Sequence, residues 1–206
     1  MEIKLYKNDL PEGFLESLRG SVAIDTETMG LSPYRDRLCL VQFSLGNEEC
    51  HLVQYDDFSK ALNIKRLLAD ESILKIFHYA RFDVMMLFKY LEVMTKNIYC
   101  TKIASKLVRT YASSHSLLEL CRDLLRCEIS KEQTCSDWGN AELTNEQKQY
   151  AATDVLYLHK LKEKLDVMLK REGREEIAQA CFDFLQTRVK LDLTAGENYD
   201  IFSHGC

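Results

Sequence analysis

The pattern of apolar and polar positions divides the chain into a strand-rich first half and a helical last third. Short apolar or alternating runs occupy six places: residues 2–6, 22–31, 37–45, 50–55, 73–77 and 98–100. Gly46 and Asn47 lie between the third and fourth runs and form a hairpin signal. The second, third and fourth runs are therefore expected to form a meander, and the last two strands alternate with helices.

Apolar residues at helical spacing mark the segments between the later strands. They predict helices over residues 58–68 and 84–91. Thr101 can cap the helix that follows the last strand. Ser116 begins a capping-box sequence, with a helix predicted to extend to Arg126.

A second capping box, from Thr144 to Gln147, begins the longest predicted helix. This helix is expected to span residues 145–171 and to end before Gly173, and an amphipathic helix is expected at 175–189. No linker rich in Pro, Gly or Ser divides the 206 residues. We therefore expect a single domain over residues 1–206, in which residues 191–206 form a tail.

The composition indicates a globular protein without a membrane segment. The 32 Asp and Glu residues outnumber the 27 Lys and Arg residues, which gives a net charge of −5. Because proteins that hold long nucleic acids tend to be basic, a nucleic-acid substrate is expected to be short or bound at a local basic patch. The first residues show no signal-peptide pattern and the eight cysteines form no C-x-x-C pair. We therefore expect a cytoplasmic location, no membrane partner and no structural zinc site.

Candidate chemistry begins with Asp25 and Glu27, which follow the apolar start of the second run. Residues two apart project to the same face of a strand, with Cα atoms roughly 6.5–7 Å apart. Two carboxylates beside an apolar core repel each other unless they are protonated, hydrogen-bonded or neutralised by a cation. The pair indicates a divalent metal, although acids at a strand end can also be solvated turn residues. Gly30 allows a sharp turn that places Leu31 at the rim of the site.

Two further acids lie where they can join this pair. Asp83 follows a strand at the start of a helix, where α/β proteins collect ligand groups, although the helix dipole alone also favours an acid there. Tyr150 and Asp154 are four residues apart on one face of the long predicted helix, where Asp154 could also be a solvated rim residue. Four carboxylates on separate elements can surround two cations, and oxygen ligands favour Mg²⁺ or Mn²⁺.

Three short motifs resemble those of a known nuclease superfamily. The segments D-T-E-T-M-G-L, H-Y-A-R-F-D and Y-A-A-T-D, in this order, are similar to the three exonuclease motifs of the DEDDy superfamily. Within its ribonuclease D type, the chain most resembles the nanoRNase C group through residues 100–107, 129–131 and 136–138. The resemblance implies an α/β, ribonuclease-H-like fold with a mixed five-stranded sheet flanked by helices and a helical C-terminal third.

The resemblance also implies an activity and a role for each motif residue. The activity is 3′-to-5′ hydrolysis of very short RNA, above all diribonucleotides, to nucleoside 5′-monophosphates, with two Mg²⁺ or Mn²⁺ ions per site. Asp25, Glu27 and Asp154 would bind the metal that carries the attacking water. Asp25 and Asp83 would bind the second metal, and Tyr150 would orient that water unless it only packs the helix.

Three residues are assigned to substrate binding. Leu31 corresponds to the apolar wedge of the resembling family, which lies between the last two bases, and its alternative is a core leucine. Met29 is assigned to substrate binding beside it. His78 could contact a phosphate, although a histidine satisfied by the loop backbone is almost equally well supported.

Other polar and apolar features allow two interpretations each. The basic helical stripe of Lys102, Lys106 and Arg109 contacts phosphate or is a solvated face. Trp138 and residues 199–202 supply apolar surface. Because the resembling group forms ring-shaped octamers, we expect this surface at a homo-oligomer interface, with internal packing as the alternative.

Two rival functions remain open at this point. A DEDDy exonuclease that trims the 3′ ends of longer RNA or DNA would show an extended basic track. A non-catalytic nucleic-acid-binding module would have no need of all four acids and Tyr150, and their presence therefore argues against it.

Overall fold

The computed structural model describes residues 1–129, 136–196 and 200–204, and a mixed six-stranded sheet forms its centre. The strands are β1 (Glu2–Lys7), β2 (Ser21–Thr28), β3 (Leu38–Ser44), β4 (Glu49–Gln54), β5 (Leu74–Phe77) and β6 (Ile98–Cys100). Their order across the sheet is β1-β4-β3-β2-β5-β6. The predicted meander is confirmed, because β3 pairs antiparallel with both β2 and β4. β5 and β6 extend the sheet in parallel beside β2.

β1 is a full member of the sheet, which therefore has six strands rather than the five expected. It pairs in parallel with β4 over its whole length, from Glu2 opposite Glu49 to Lys7 opposite Gln54. A short alternating sequence is weak evidence for a strand by itself, since the partner strand supplies the backbone hydrogen bonds that hold it.

Helices cover the sheet and form the last third of the described chain. They are α1 (Phe14–Ser17), α2 (Leu62–Ala69), α3 (Ala80–Leu91), α4 (Thr101–Val108), α5 (Leu117–Leu120), α6 (Asn145–Leu156), α7 (Leu158–Arg171) and α8 (Glu175–Ala195). A 3₁₀ turn at Phe58–Lys60 precedes α2, and a π turn at Cys121–Leu125 follows α5. None of the described helices is long and apolar enough to cross a membrane.

The long helix predicted over residues 145–171 is two helices, because the helical pattern is interrupted at Tyr157. The backbone there (φ −98°, ψ −7°) departs from ideal helical values. α6 packs against the strands of the meander, whereas α7 packs against α4 and β5. The interruption therefore lies where the chain passes from one packing surface to the other, and each half buries its own apolar side.

Three predicted helix boundaries can be compared directly with the structure. The capping box at Thr144 is confirmed: its hydroxyl accepts a hydrogen bond from the Gln147 amide at 3.2 Å, and the Gln147 side chain accepts one from the Thr144 amide at 2.9 Å. Thr101 does not cap α4; it is the first helical residue, and its hydroxyl donates to the Phe77 carbonyl at 3.1 Å. α8 continues to Ala195, so the tail is shorter than residues 191–206.

Candidate active site

The carboxyl end of β2 carries two half-buried acids on one face and two buried threonines on the other. Asp25 and Glu27 are half-buried, whereas Thr26 and Thr28 are buried, as the alternation of a strand requires. The pairing of β2 with β3 shifts between Glu27 and Thr28, which marks a bulge at the end of the ladder. Such irregularities change the direction of side chains beside functional sites.

Asp154 joins this pair from helix α6, which packs against the strands of the meander. One carboxylate oxygen of each of Asp25, Glu27 and Asp154 lies within 4.8 Å of the other two. Asp154 is carried by α6, which approaches the strands closely because Ala151 and Ala152 are small and fully buried. The structure thus brings together three of the four predicted metal ligands.

Asp83 lies beside this group, in the first turn of α3. It is 4% exposed and accepts a hydrogen bond from the Thr26 hydroxyl at 2.7 Å. Its charge is close enough to raise the pKa of Asp25 and of Asp154. The four predicted acids therefore interact electrostatically, although Asp83 is more deeply buried than the others.

Sequence reasoning missed two neutral side chains that hold these acids. Gln42 donates from Nε2 to Asp25 at 3.2 Å, and Thr26 donates to Asp83. Gln42 lies on β3 directly opposite Asp25 in the antiparallel register. An amide within the otherwise largely apolar sequence L-C-L-V-Q-F-S, buried at every position, was the signal that could have identified it.

Each of the four acids has a pKa above that of the same acid in water. Burial, then the charges of the neighbouring acids, raises the pKa of Asp25 and of Glu27 well above the ordinary range. Burial raises the pKa of Asp83 to about 7, despite the hydrogen bond from Thr26, which acts in the opposite direction. Burial and the charge of Asp83 raise the pKa of Asp154 to about 7. A cation between these groups would favour their ionised forms.

This donor set fits a divalent cation. The three converging ligand atoms are all carboxylate oxygens, and the hydrogen-bond donors shown here for Asp25 and Asp83 are the neutral side chains Gln42 and Thr26. The negative charge of the cluster is thus not balanced by these partners. Hard oxygen ligands suit Mg²⁺ or Mn²⁺ better than the Cys and His sets of structural zinc.

Tyr150 lies one helical turn before Asp154 on α6 and packs near Trp138, with ring centroids 6.1 Å apart. Trp138 is 2% exposed, so the expectation that it forms a subunit interface is wrong. The segment that carries it passes close to Met29: a Cβ atom on Gly139 would come within 2.4 Å of the Met29 sulfur. Gly139 therefore allows this segment to close one side of the site.

Leu31 and Met29 project from the turn that follows β2. Leu31 is 86% exposed and Met29 is 48% exposed, so the alternative of a core leucine is wrong. The Thr28 hydroxyl donates to the Gly30 carbonyl at 2.5 Å, and the Met29 amide donates to the Arg37 carbonyl at 3.0 Å. These bonds close the turn and leave both apolar side chains available at its surface.

His78 follows β5, and its ring is held within the chain. Its Nδ1 atom lies 2.9 Å from the Thr101 hydroxyl oxygen. The same hydroxyl lies 3.1 Å from the Phe77 carbonyl oxygen, and the ring also hydrogen-bonds the His115 backbone, which supports the alternative of a histidine satisfied within the chain. Burial lowers the pKa of His78 to about 3, so the ring is neutral near pH 7. His78 therefore offers a substrate phosphate no positive charge.

The predicted basic stripe on α4 is not one continuous surface. Lys102 and Lys106 line a cavity of about 870 Å³ between α4 and α8, and none of the four acids lines it. Arg109 is 2% exposed and forms an ion pair with Asp123. Arg109 therefore belongs to the interior, and neither interpretation of an exposed stripe applies to it.

The tail and one of the resemblance motifs are only partly described. Ile201 and Phe202 are 45% and 77% exposed, and the Phe202 ring lies 6.2 Å from that of Phe184 on α8. Tyr199 and residues 130–131 lie outside the described residues. The interface expected for the tail stays a prediction.

A family model described as "3'-5' exonuclease" matches residues 3–170, which include all four acids and Tyr150. The chain belongs to the 3′-5′ exonuclease family. Ribonuclease D of Desulfotalea psychrophila is 31% identical over 138 residues, which cover 67% of this chain and 37% of the relative. Ribonuclease D of Nitrobacter hamburgensis is 30% identical over 182 residues, which cover 87% of this chain and 44% of the relative. The chain thus spans less than half the length of these family members.

Solved structures of this family are similar over different shares of the chain. Brucella melitensis NrnC superposes with a TM-score of 0.94 at 48% identity over 99% of both chains, and it has also been solved bound to pGG and with bound Mg²⁺. Escherichia coli ribonuclease D superposes with a TM-score of 0.72 at 26% identity, covering 83% of this chain and 45% of that one. The chain is therefore a member of the ribonuclease D superfamily close to NrnC, and this family together with the carboxylate group implies a divalent metal.

Proposed function

We propose that this chain is a 3′-to-5′ exoribonuclease that hydrolyses diribonucleotides to nucleoside 5′-monophosphates with two divalent cations. The observation that carries the proposal is the convergence of Asp25, Glu27 and Asp154 at the end of β2, with Asp83 beside them. The dinucleotide preference is supported by the likeness to the Brucella protein, which has been solved bound to pGG. The proposal assigns residues 1–206 to this one activity.

The four acids would hold the cations, either Mg²⁺ or Mn²⁺. Asp25, Glu27 and Asp154 would bind one, and Asp25 with Asp83 the other. Cations at such a site lower the pKa of a bound water and stabilise the leaving oxygen of the phosphodiester. Cation binding by these acids would depend on their carboxylate oxygens being oriented before the substrate arrives.

Two neutral side chains and one tyrosine would supply that orientation. Gln42 restrains an oxygen of Asp25, and Thr26 restrains an oxygen of Asp83. Tyr150 would place the attacking water through its hydroxyl rather than deprotonate it, because a phenol with a pKa near 10 is a poor base at neutral pH. Packing beside Trp138 limits the tilt of the Tyr150 ring.

Leu31, Met29 and His78 would contact the substrate. The two apolar side chains are exposed beside the acids and would stack against the last two bases, which limits the length of substrate that fits well. His78 would contact the substrate through a neutral ring rather than through a charge. A homo-oligomer, octameric by resemblance, is part of the proposal, and a monomeric mass in light scattering would contradict it.

The alternative is an exonuclease that trims the 3′ ends of longer RNA or DNA. It is supported by the similarity to Escherichia coli ribonuclease D, described as an exoribonuclease involved in structured RNA processing. The division of the α4 stripe between a cavity and the interior argues against an extended basic track there. Substrate length therefore separates the two functions.

The test is a length series of 5′-labelled oligoribonucleotides, from dinucleotide to about ten residues, with single-turnover rates measured in Mg²⁺ and in Mn²⁺. We expect the dinucleotide to be cleaved fastest and Asp25→Ala to abolish hydrolysis while the far-UV circular dichroism is unchanged. A flat length profile would contradict the dinucleotide preference, and wild-type turnover in Asp25→Ala would contradict the metal assignment. A deoxydinucleotide measured in parallel shows whether DNA is also a substrate.

A further inference from the structure

Asp192, near the end of α8, connects the last helix to the helix that carries Asp83. It is fully buried, and its two carboxylate oxygens accept hydrogen bonds from Arg81 Nε at 2.6 Å and Nη2 at 2.8 Å. Arg188, one turn earlier on α8, places Nη2 2.6 Å from the same carboxylate. Bidentate pairs of this kind fix orientation as well as distance. Since Arg81 is two residues before Asp83, the pair fixes the first turn of α3 against α8.

The main chain of the same residue holds the turn that carries Leu31. The Tyr34 hydroxyl donates to the Asp192 carbonyl at 2.7 Å, and Lys89 of α3 donates to the Pro33 carbonyl. The Leu31 side chain is 86% exposed, so packing cannot fix its position. The anchors of its turn must therefore do so.

We propose that Tyr34 and Asp192 are positioning residues that set the place of Leu31 relative to the four acids, so that α8 helps to define which substrates bind. This inference rests on the proposed function, in which Leu31 contacts the last two bases. α8 lies beyond residue 170, where the match to the family model ends, so the Asp192 end of the connection is outside the matched region.

A role in stability alone makes a different prediction from a role in positioning. If Asp192 and Tyr34 only held α8 in place, their loss would lower the melting temperature and leave substrate affinity unchanged. If they position Leu31, the loss of the Tyr34 hydroxyl weakens dinucleotide binding even where the fold is intact. Tyr34 is suited to the test because its side chain is 58% exposed, so that Tyr34→Phe creates no internal cavity.

The matched control is Tyr6→Phe on β1. The Tyr6 hydroxyl lies 3.3 Å from His51 Nδ1, so this variant also removes one hydrogen-bonded hydroxyl. β1, which carries Tyr6, is the edge strand of the sheet at the end opposite β6. We expect Tyr34→Phe to raise the KM for pGG, and its dissociation constant measured with Ca²⁺, by about fivefold, the effect of one lost hydrogen bond. The value of kcat should stay within about twofold of wild type, and Tyr6→Phe should leave all three constants unchanged.

A second variant tests the connection to α3. Asp192→Asn keeps the carbonyl that Tyr34 contacts but removes the charge that holds Arg81, so the Mg²⁺ concentration for half-maximal activity should rise several-fold, as expected for lost ligand support. If this variant does not fold, Tyr34→Phe decides alone: equal pGG affinity in Tyr34→Phe and wild type overturns the inference. A flat length profile for the wild-type protein would instead contradict the proposed function. The pGG dissociation constants of wild type and Tyr34→Phe would still decide whether Tyr34 positions the turn that carries Leu31.

Discussion

The metal-free protein should lose stability as the pH rises from about 4 to 8, and a divalent cation should restore it. Burial raises the pKa of Asp83 from 3.8 to about 7. Burial together with the charge of Asp83 raises the pKa of Asp154 from 3.8 to about 7. A carboxyl group whose pKa is raised by folding binds its proton more tightly in the folded state. Its contribution to stability is therefore fully present below the unfolded pKa and is lost as the pH rises through the folded pKa.

Asp154 gives the magnitude of this effect. A pKa of about 7 in the folded chain, against 3.8 when unfolded, corresponds to about 4 kcal/mol at pH 8. For a chain of 206 residues, this is a change of about 10 °C in Tm. Asp154→Asn keeps the size of the side chain without its charge. In EDTA it should therefore melt about 10 °C above wild type at pH 8, and close to wild type near pH 4.

The assay is a set of thermal melts across this pH range, for wild type and Asp154→Asn, in EDTA and in Mg²⁺. Burial lowers the pKa of His51, His78 and His159, which gives a pH dependence of the opposite sign, but those histidines are common to both proteins. The difference between the two Tm values isolates the carboxyl group. Mg²⁺ should raise the Tm of wild type at pH 8 much more than that of Asp154→Asn. A Tm difference that does not change with pH would refute the reasoning.

Two further predictions concern the turn and the support of the acids. Leu31→Ala should raise the KM for a dinucleotide about tenfold, through loss of an apolar contact, and leave Tm unchanged because the side chain is 86% exposed. Steady-state kinetics and a thermal melt check this, and an unchanged KM would contradict the role of Leu31. Thr26→Val, which keeps the shape but removes the donor to Asp83, should raise the Mg²⁺ concentration for half-maximal activity about tenfold. A Mg²⁺ titration that matches wild type would show that the Thr26 hydroxyl does not support the site.

The location of the acids was predictable from local rules of backbone geometry. The period of a strand places Asp25 and Glu27 on one face, and a helix with small residues beside Asp154 can approach a sheet. These rules need only the sequence within one element, and the structure agrees with them. Gln42 was within reach of similar reasoning, because a buried amide in an otherwise largely apolar strand needs a polar partner.

Other features depend on packing between distant elements and could not be predicted in this way. The interruption at Tyr157 separates two helices, α6 and α7, that pack against different elements. The burial of Trp138 depends on how the segment before α6 folds back over the site, and the pairing of Arg109 depends on the position of Asp123. The link from Asp192 to Tyr34 joins residues 158 positions apart, which no periodicity in the sequence reveals.

The distribution of the acids along the chain has a consequence for the biosynthesis of the protein. Asp25 and Glu27 are made early, whereas Asp154 is made only after three quarters of the chain. The strands β2, β3 and β4 all precede α6 in the sequence, and until α6 has been synthesised the group of three ligand oxygens is incomplete. The cluster of three converging acids can therefore be complete only after α6 has been synthesised, because Asp154 is one of its members.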